Sequence, residues 1–125
     1  MPFTWERLDH VQIAIPVGAE PEAERWWVGV LGFSLVPKPP SLAARGGRWF
    51  AAGDLAVHVG ADPDFRPARK GHPALLVGSL DELVRRLEDN GVEVRWDGEQ
   101  PGVRRCFVDD PFGNRIELVD AGPPI

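Results

Sequence analysis

Three histidines and one glutamate stand out for where they fall: His10, His58, His72 and Glu117. Each lies in or beside a short run in which large aliphatic residues alternate with others, the period of a strand with one buried face. In Leu55-Ala-Val-His-Val59 the large residues Leu55, Val57 and Val59 share a face, and His58 lies opposite beside Ala56. In Arg115-Ile-Glu-Leu-Val119, Ile116 and Leu118 share a face and Glu117 lies opposite. His72 falls on the face of Ala74, across from Pro73, Leu75 and Val77, and His10 falls with Gln12 and Ala14, across from Val11, Ile13 and Ile15. A lone histidine in a strand is more often structural than functional. Four ionisable groups at matching strand positions are a different pattern. Curling the sheets toward that face would bring three imidazoles and one carboxylate into a cup, a donor set suited to zinc, nickel, manganese or iron(II). A divalent ion there would polarise substrate oxygens. Glu117, the one carboxylate, is the candidate catalytic base as well as a ligand.

The elements that must position these residues repeat. Residues 8–15 read as a strand. Glu20-Pro21 opens a helix, with proline at an early position where its missing N–H does no harm. Ala23, Trp26, Trp27, Val30 and Leu31 form its apolar stripe, and Gly32 ends it. Phe33–Val36 is a short strand, PKPP a loop, and Arg48–Ala52 and Leu55–Val59 two strands joined at Gly53-Asp54. The order then recurs: strand His72–Val77, a helix opened by Ser79 with Glu82 in an S-x-x-E capping box, a stripe of Leu80, Leu83, Val84 and Leu87, a stop at Gly91, and strands over Val92–Arg95, Val103–Asp109 and Asn114–Val119. The chain is therefore β-α-β-β-β written twice, an α+β pattern of two modules at about residues 8–60 and 72–120, joined by a polar linker, 61–71, within a single domain of 125 residues. Phe50 and Phe107 are expected at matching places, as are His10 with His72 and His58 with Glu117.

Composition narrows the partners. A net charge of −5 disfavours nucleic acid, and the twelve arginines are scattered rather than gathered in one basic run. The N-terminal stretch carries acids and no long apolar run, so neither a signal peptide nor a membrane helix is expected. One cysteine, Cys106, excludes an intrachain disulfide and fits a cytoplasmic location. A small molecule is the expected partner. Gln12 shares the His10 face, Trp49 is the aromatic candidate for a pocket wall, and Arg45, Arg69 and Arg105 are candidates to clamp an anionic group. Cys106 reads as a small buried residue rather than a nucleophile, and Asp109 and Asp110 as turn formers.

Several segments carry a resemblance: LDHVQIAI with the following helix and VLGFSLV, then LAVHV, GHPALLV, NGVEV and FVDDPFGNRIELV. The last is the most specific, matching D-P-x-G-N-x-[IL]-E-[LF]. Together, over roughly Leu8 to Asp120, they resemble the vicinal oxygen chelate superfamily of glyoxalases, fosfomycin-resistance enzymes, extradiol dioxygenases and bleomycin-binding proteins. The resemblance implies curved mixed sheets around a metal or ligand cup, with ligands from the first and last strands of each module. His10, His58, His72 and Glu117 fill those places. It implies a metal-dependent lyase, isomerase or small-molecule transferase that chelates vicinal oxygens of a small anionic substrate. The alternatives it carries are a metal-free drug- or metabolite-binding protein and an extradiol-type dioxygenase using His10, His72 and Glu117 on iron(II). His58 departs from the pattern, since glyoxalase I usually has glutamate there and some epimerases glutamine. The resemblance also implies a homodimer in which each metal site takes one module from each chain, although some relatives pair modules within a chain.

Overall fold

The structure is a computed structural model that describes residues 2–122. Its first module comprises β1 (Val11–Pro16), α1 (Glu20–Glu24), β2 (Ser34–Val36), α2 (Pro40–Ala43), β3 (Arg48–Ala52) and β4 (Leu55–Asp62). The second comprises β5 (Ala74–Val77), α3 (Leu80–Asp89), β6 (Arg95–Asp97), β7 (Arg105–Asp109) and β8 (Arg115–Asp120). The two sheets have the same topology, β1-β4-β3-β2 and β5-β8-β7-β6, and neither closes on itself. In each, the first strand runs parallel to the last and the remaining pairs are antiparallel.

Alternation decides which face is buried. Ile13 and Ile15 of β1, Phe50 of β3 and Val57 and Val59 of β4 enter the core, as do Leu75, Val108, Ile116 and Leu118 in the second sheet. The helices cover these faces. Trp27 packs edge-on to Phe33, with ring centroids 5.1 Å apart, and stacks toward Phe50. Removing a buried ring of this kind costs about 3–5 kcal/mol. The opposite faces hold His58, Trp49, Glu117 and Phe107, in register as Trp49 opposite His58 and Phe107 opposite Glu117.

Several sequence expectations are corrected here. The continuous helix through Leu31 is instead a short α1 running into a π-helix, Arg25–Val30, in which the Leu31 amide bonds to the Trp26 carbonyl five residues back. The wider turn lets the adjacent indoles of Trp26 and Trp27 both face inward, where both are buried. PKPP is not wholly loop, because Pro40 starts α2. The capping box does not form: Ser79 adopts a left-handed conformation (φ 58°) and its side chain caps nothing, while its carbonyl accepts from the Glu82 amide. Val92 and Val94 pack beside the core, but ladder pairing starts only at Arg95 opposite Phe107, so β6 lies later than their apolar pattern suggested. Phe50 and Phe107 do not correspond. Phe50 is in the core and Phe107 is on the opposite sheet face, so its counterpart is Trp49.

Two polar clasps join the modules. Asn114 donates from Nδ2 to the Ala14 carbonyl in β1 (2.9 Å), and its Oδ1 accepts from the Ala68 amide in the linker (2.8 Å). Arg86 on α3 reaches the Val30 carbonyl (2.7 Å) and the Gly29 carbonyl (3.0 Å), capping the end of the π-helix in the other module. Among the described residues no helix is long and apolar enough to cross a membrane.

Candidate functional site

His10 lies one residue before β1, where the chain enters the sheet, and His58 lies mid-strand in β4. Their rings stack at 4.1 Å between centroids, and Trp49 from the neighbouring β3 stacks on the far side of His58 at 4.4 Å. Gln12 lies in register with His58. It folds over Gly60, where a Cβ would come within 2.6 Å of the Gln12 amide nitrogen, so a larger residue there would displace the Gln12 side chain. The Asp9 carboxylate accepts from His10 Nδ1 (2.8 Å), which leaves Nε2 as the ring nitrogen available to other partners. Hydrogen bonding and charge from His10 in turn hold Asp9 below the usual carboxylate range. Burial, and then the neighbouring His10 and Lys38, push the His58 imidazole below its ordinary value, with Asp9 opposing. His58 is therefore held toward its neutral form, the form that binds metal. A cavity of about 590 Å³ opens on this group and is bordered by His10, Gln12, Lys38, Arg45, Trp49 and His58 among others.

The second module builds a smaller polar cluster at the corresponding place. Glu117 in β8 is buried, and both its oxygens are engaged. Oε1 lies 2.9 Å from His72 Nε2, and Oε2 accepts from Arg105 Nη1 at 3.1 Å. Arg105 on β7 also donates from Nη2 to Asp97 on β6 (3.1 Å), so three adjacent strands share one ion-pair network. The Lys70 carbonyl lies 2.8 Å from His72 Nδ1, and a carbonyl can only accept, so Nδ1 donates to it. Nε2 then faces a second acceptor, Glu117 Oε1. Both ring nitrogens point at oxygens, and the 2.9 Å between Nε2 and Oε1 is hydrogen-bond length, so an ion held by this pair would replace that hydrogen bond. The ring of Phe107 meets His72 edge-on at 5.5 Å.

The four expected ligands thus come together as two pairs. Among the described residues no group of three or more His, Cys, Asp or Glu side chains is placed to hold a metal within one chain, so the fourfold cup expected from the strand faces does not form there. The two modules present their pairs separately. His10 and His72 both border a cleft of about 680 Å³ between the modules, with Leu8, Leu55 and Leu75, but His58 and Glu117 do not. Of the expected substrate contacts, Gln12, Trp49 and Arg45 join the first pair and Arg105 the second. Arg69 is exposed in the linker and borders neither cavity. Sequence reasoning missed Lys38, set aside as part of a proline-rich loop, and Asp97, which lies beyond the expected end of its strand. Cys106 is fully buried and burial raises its thiol to about 11, so it is no nucleophile. Asp110 builds the closing turn, its Oδ1 accepting from the Phe112 and Asn114 amides, and burial raises its carboxyl above the usual range.

Residues 7–118 match the family model of the Glyoxalase/Bleomycin resistance protein/Dioxygenase superfamily. The chain belongs to this superfamily. The structure of a glyoxalase family protein from Bacillus anthracis is similar at 42% identity and a TM-score of 0.93, covering 96% of this chain and 98% of that one. A genomically encoded fosfomycin resistance protein, FosX, from Listeria monocytogenes shares the fold at 15% identity and a TM-score of 0.73, over 94% and 95% of the two chains. An antibiotic binding protein, TnmS3, from a Streptomyces species is similar at 25% identity and a TM-score of 0.68, over 93% and 98%. A comparison with curated proteins finds no match. Membership of the superfamily bears out the resemblance seen in FVDDPFGNRIELV and the paired modules. The family's activities range too widely for membership to name the reaction.

Proposed function

We propose that this chain is a metal-dependent, glyoxalase-like enzyme, a lyase, isomerase or small-molecule transferase, acting on a small molecule with two neighbouring oxygens. His10 and His58 of one chain and His72 and Glu117 of a second copy would hold one divalent ion in a homodimer. The reading is carried by the separation of the ligands into two pairs on equivalent sheet faces, each too small to hold an ion alone. The donor atoms fit. With Nδ1 engaged by Asp9, His10 offers Nε2, His58 is held toward neutrality, and an ion would take the place of the hydrogen bond between His72 Nε2 and Glu117 Oε1. A bound divalent ion would supply Lewis acidity toward the substrate's oxygens.

The chain's own residues would do the rest. Arg105 occupies Glu117 Oε2 and so leaves Oε1 as the oxygen that faces the site. As a general base Glu117 would act through that same oxygen, and so only while it does not hold the ion. Gln12 would donate a hydrogen bond to a bound oxygen, and Trp49 would wall the cavity beside His58. Elemental analysis after dialysis against zinc, nickel, manganese and iron(II) tests the reading. Stoichiometric uptake, lost in His72→Ala and Glu117→Ala, supports it, and no uptake of any of the four ions near neutral pH sinks it.

A second reading is a metal-free binding protein for a drug or metabolite. The continuous stack of Trp49, His58 and His10 favours it, because such a face suits a flat ligand. Tight binding of a planar compound by protein that takes up no metal would select it.

A further inference from the structure

The loop between β2 and β3 bears on what the first cavity takes. Gly46 and Gly47 both adopt positive φ (75° and 81°), and a Cβ on Gly47 would come within 2.3 Å of the Val59 carbonyl oxygen. Only glycine lets the loop lie this close to β4. Lying there, the loop carries Lys38 and Arg45 to the cavity wall. Lys38 is half-buried, and its Nζ donates to the Gly46 carbonyl, which ties the two ends of the loop together. Neither Lys38 nor Arg45 forms an ion pair among the described residues. Arg48, Arg95, Arg104 and Arg105 are all paired with carboxylates. The one acid bordering this cavity, Asp9, is engaged by His10. A molecule with net charge −5 therefore keeps on this wall two cations without an ion-pair partner among the described residues, while the nearby Glu20 carboxylate, which does not border the cavity, accepts from the Gly47 amide.

We propose that loop 37–47 is an anion-binding rim, on which Lys38 and Arg45 take a carboxylate, phosphonate or phosphate substituent of the ligand. The ligand's remainder lies on Trp49 and reaches the two histidines. The inference rests on the cavity being a ligand site, as in the function proposed above, but needs no metal.

The test uses the full-length protein stripped with chelator, so that failure of metal binding and failure of the rim are read separately. Backbone amide and indole NMR shifts are followed while methylphosphonate or acetate is added, in separate arms at constant ionic strength. Saturable shifts over residues 38–47 and at Trp49 are expected. Saturation by methylphosphonate alone assigns a tetrahedral anion, by acetate alone a carboxylate, and by both either group. Lys38→Ala and Arg45→Ala should each weaken binding about five- to tenfold, the effect of losing one charged hydrogen bond at a partly exposed site. Lys38→Arg should restore it, which separates loss of charge from a disturbed loop. Arg69→Ala should stay within about twofold, as an exposed charge that does not border the cavity does. No saturable shift in either arm, native affinity in either alanine variant, or an equal loss in Arg69→Ala would overturn the proposal.

Discussion

His58 shows how one side chain can be prepared before any ligand arrives. It lies between the indole of Trp49 and the imidazole of His10, and burial with neighbouring positive charge holds its proton affinity down. The sign of the consequence is fixed. A histidine whose folded value lies below its ordinary 6.5 contributes stability that is fully present above 6.5 and is lost as pH falls toward the lowered value. Native protein should therefore lose more stability between pH 7.5 and pH 5 than His58→Gln, measured by urea unfolding at each pH. Parallel losses in the two proteins would contradict the assignment. Alternation alone placed His58 and Glu117 on the correct faces. It could not reveal that Lys38 joins them, because a lysine reaches the cavity from a loop whose path is set by Gly46, Gly47 and contact with β4, none of which has a periodic signature. Nor could it show that Arg69, attractive for its position just before His72, is exposed and borders neither cavity.

At the scale of elements, the closing hairpin does more than present Glu117. Its DPFGN turn is the joint of the molecule: Asp110 fixes the turn, and Asn114 spends its amide on β1 and the linker. Asn114→Ala should cost about 2 kcal/mol, since it leaves a part-buried β1 carbonyl, a linker amide and the buried Asp110 carboxylate each short of a partner. Denaturant unfolding measures it, and a loss under about 1 kcal/mol would refute the clasp. The motif was legible as a turn from its letters, but its role as a joint was not, because Asn114 and Ala14 meet only through the fold. Apart from α2, which was read as loop, the order of elements was legible, since apolar alternation and glycine stops are local. Boundaries were read poorly where packing and pairing part company. Val92 and Val94 pack on the core without entering a ladder, and Trp26 with Trp27 widens a helix that propensity would have kept regular. Phe50 and Phe107 matched as letters but not as faces.

For the whole molecule, the two pairs of ligands make the metal reading a statement about assembly. A light-scattering mass of about twice 13.8 kDa is expected. A sharper test mixes two inactive chains. In a heterodimer of His10→Ala and Glu117→Ala subunits, one site carries both lesions and the other carries neither. Co-refolded mixtures should therefore regain metal, up to one ion per two chains in the heterodimer, although each variant alone takes up little. If each site were built within one chain, mixing would restore nothing. Phe3, Trp5 and Leu8, in the segment that leads into His10, are exposed apolar side chains of the single chain.

The sealed thiol of Cys106 has a practical side. A chain whose single sulfhydryl is inert accepts a probe only where a new one is engineered. A cysteine placed at exposed Leu35 or Leu76 would be the sole reactive position. Spin or fluorescent labels there would report the distance between copies of the proposed dimer without background and without first removing a native residue.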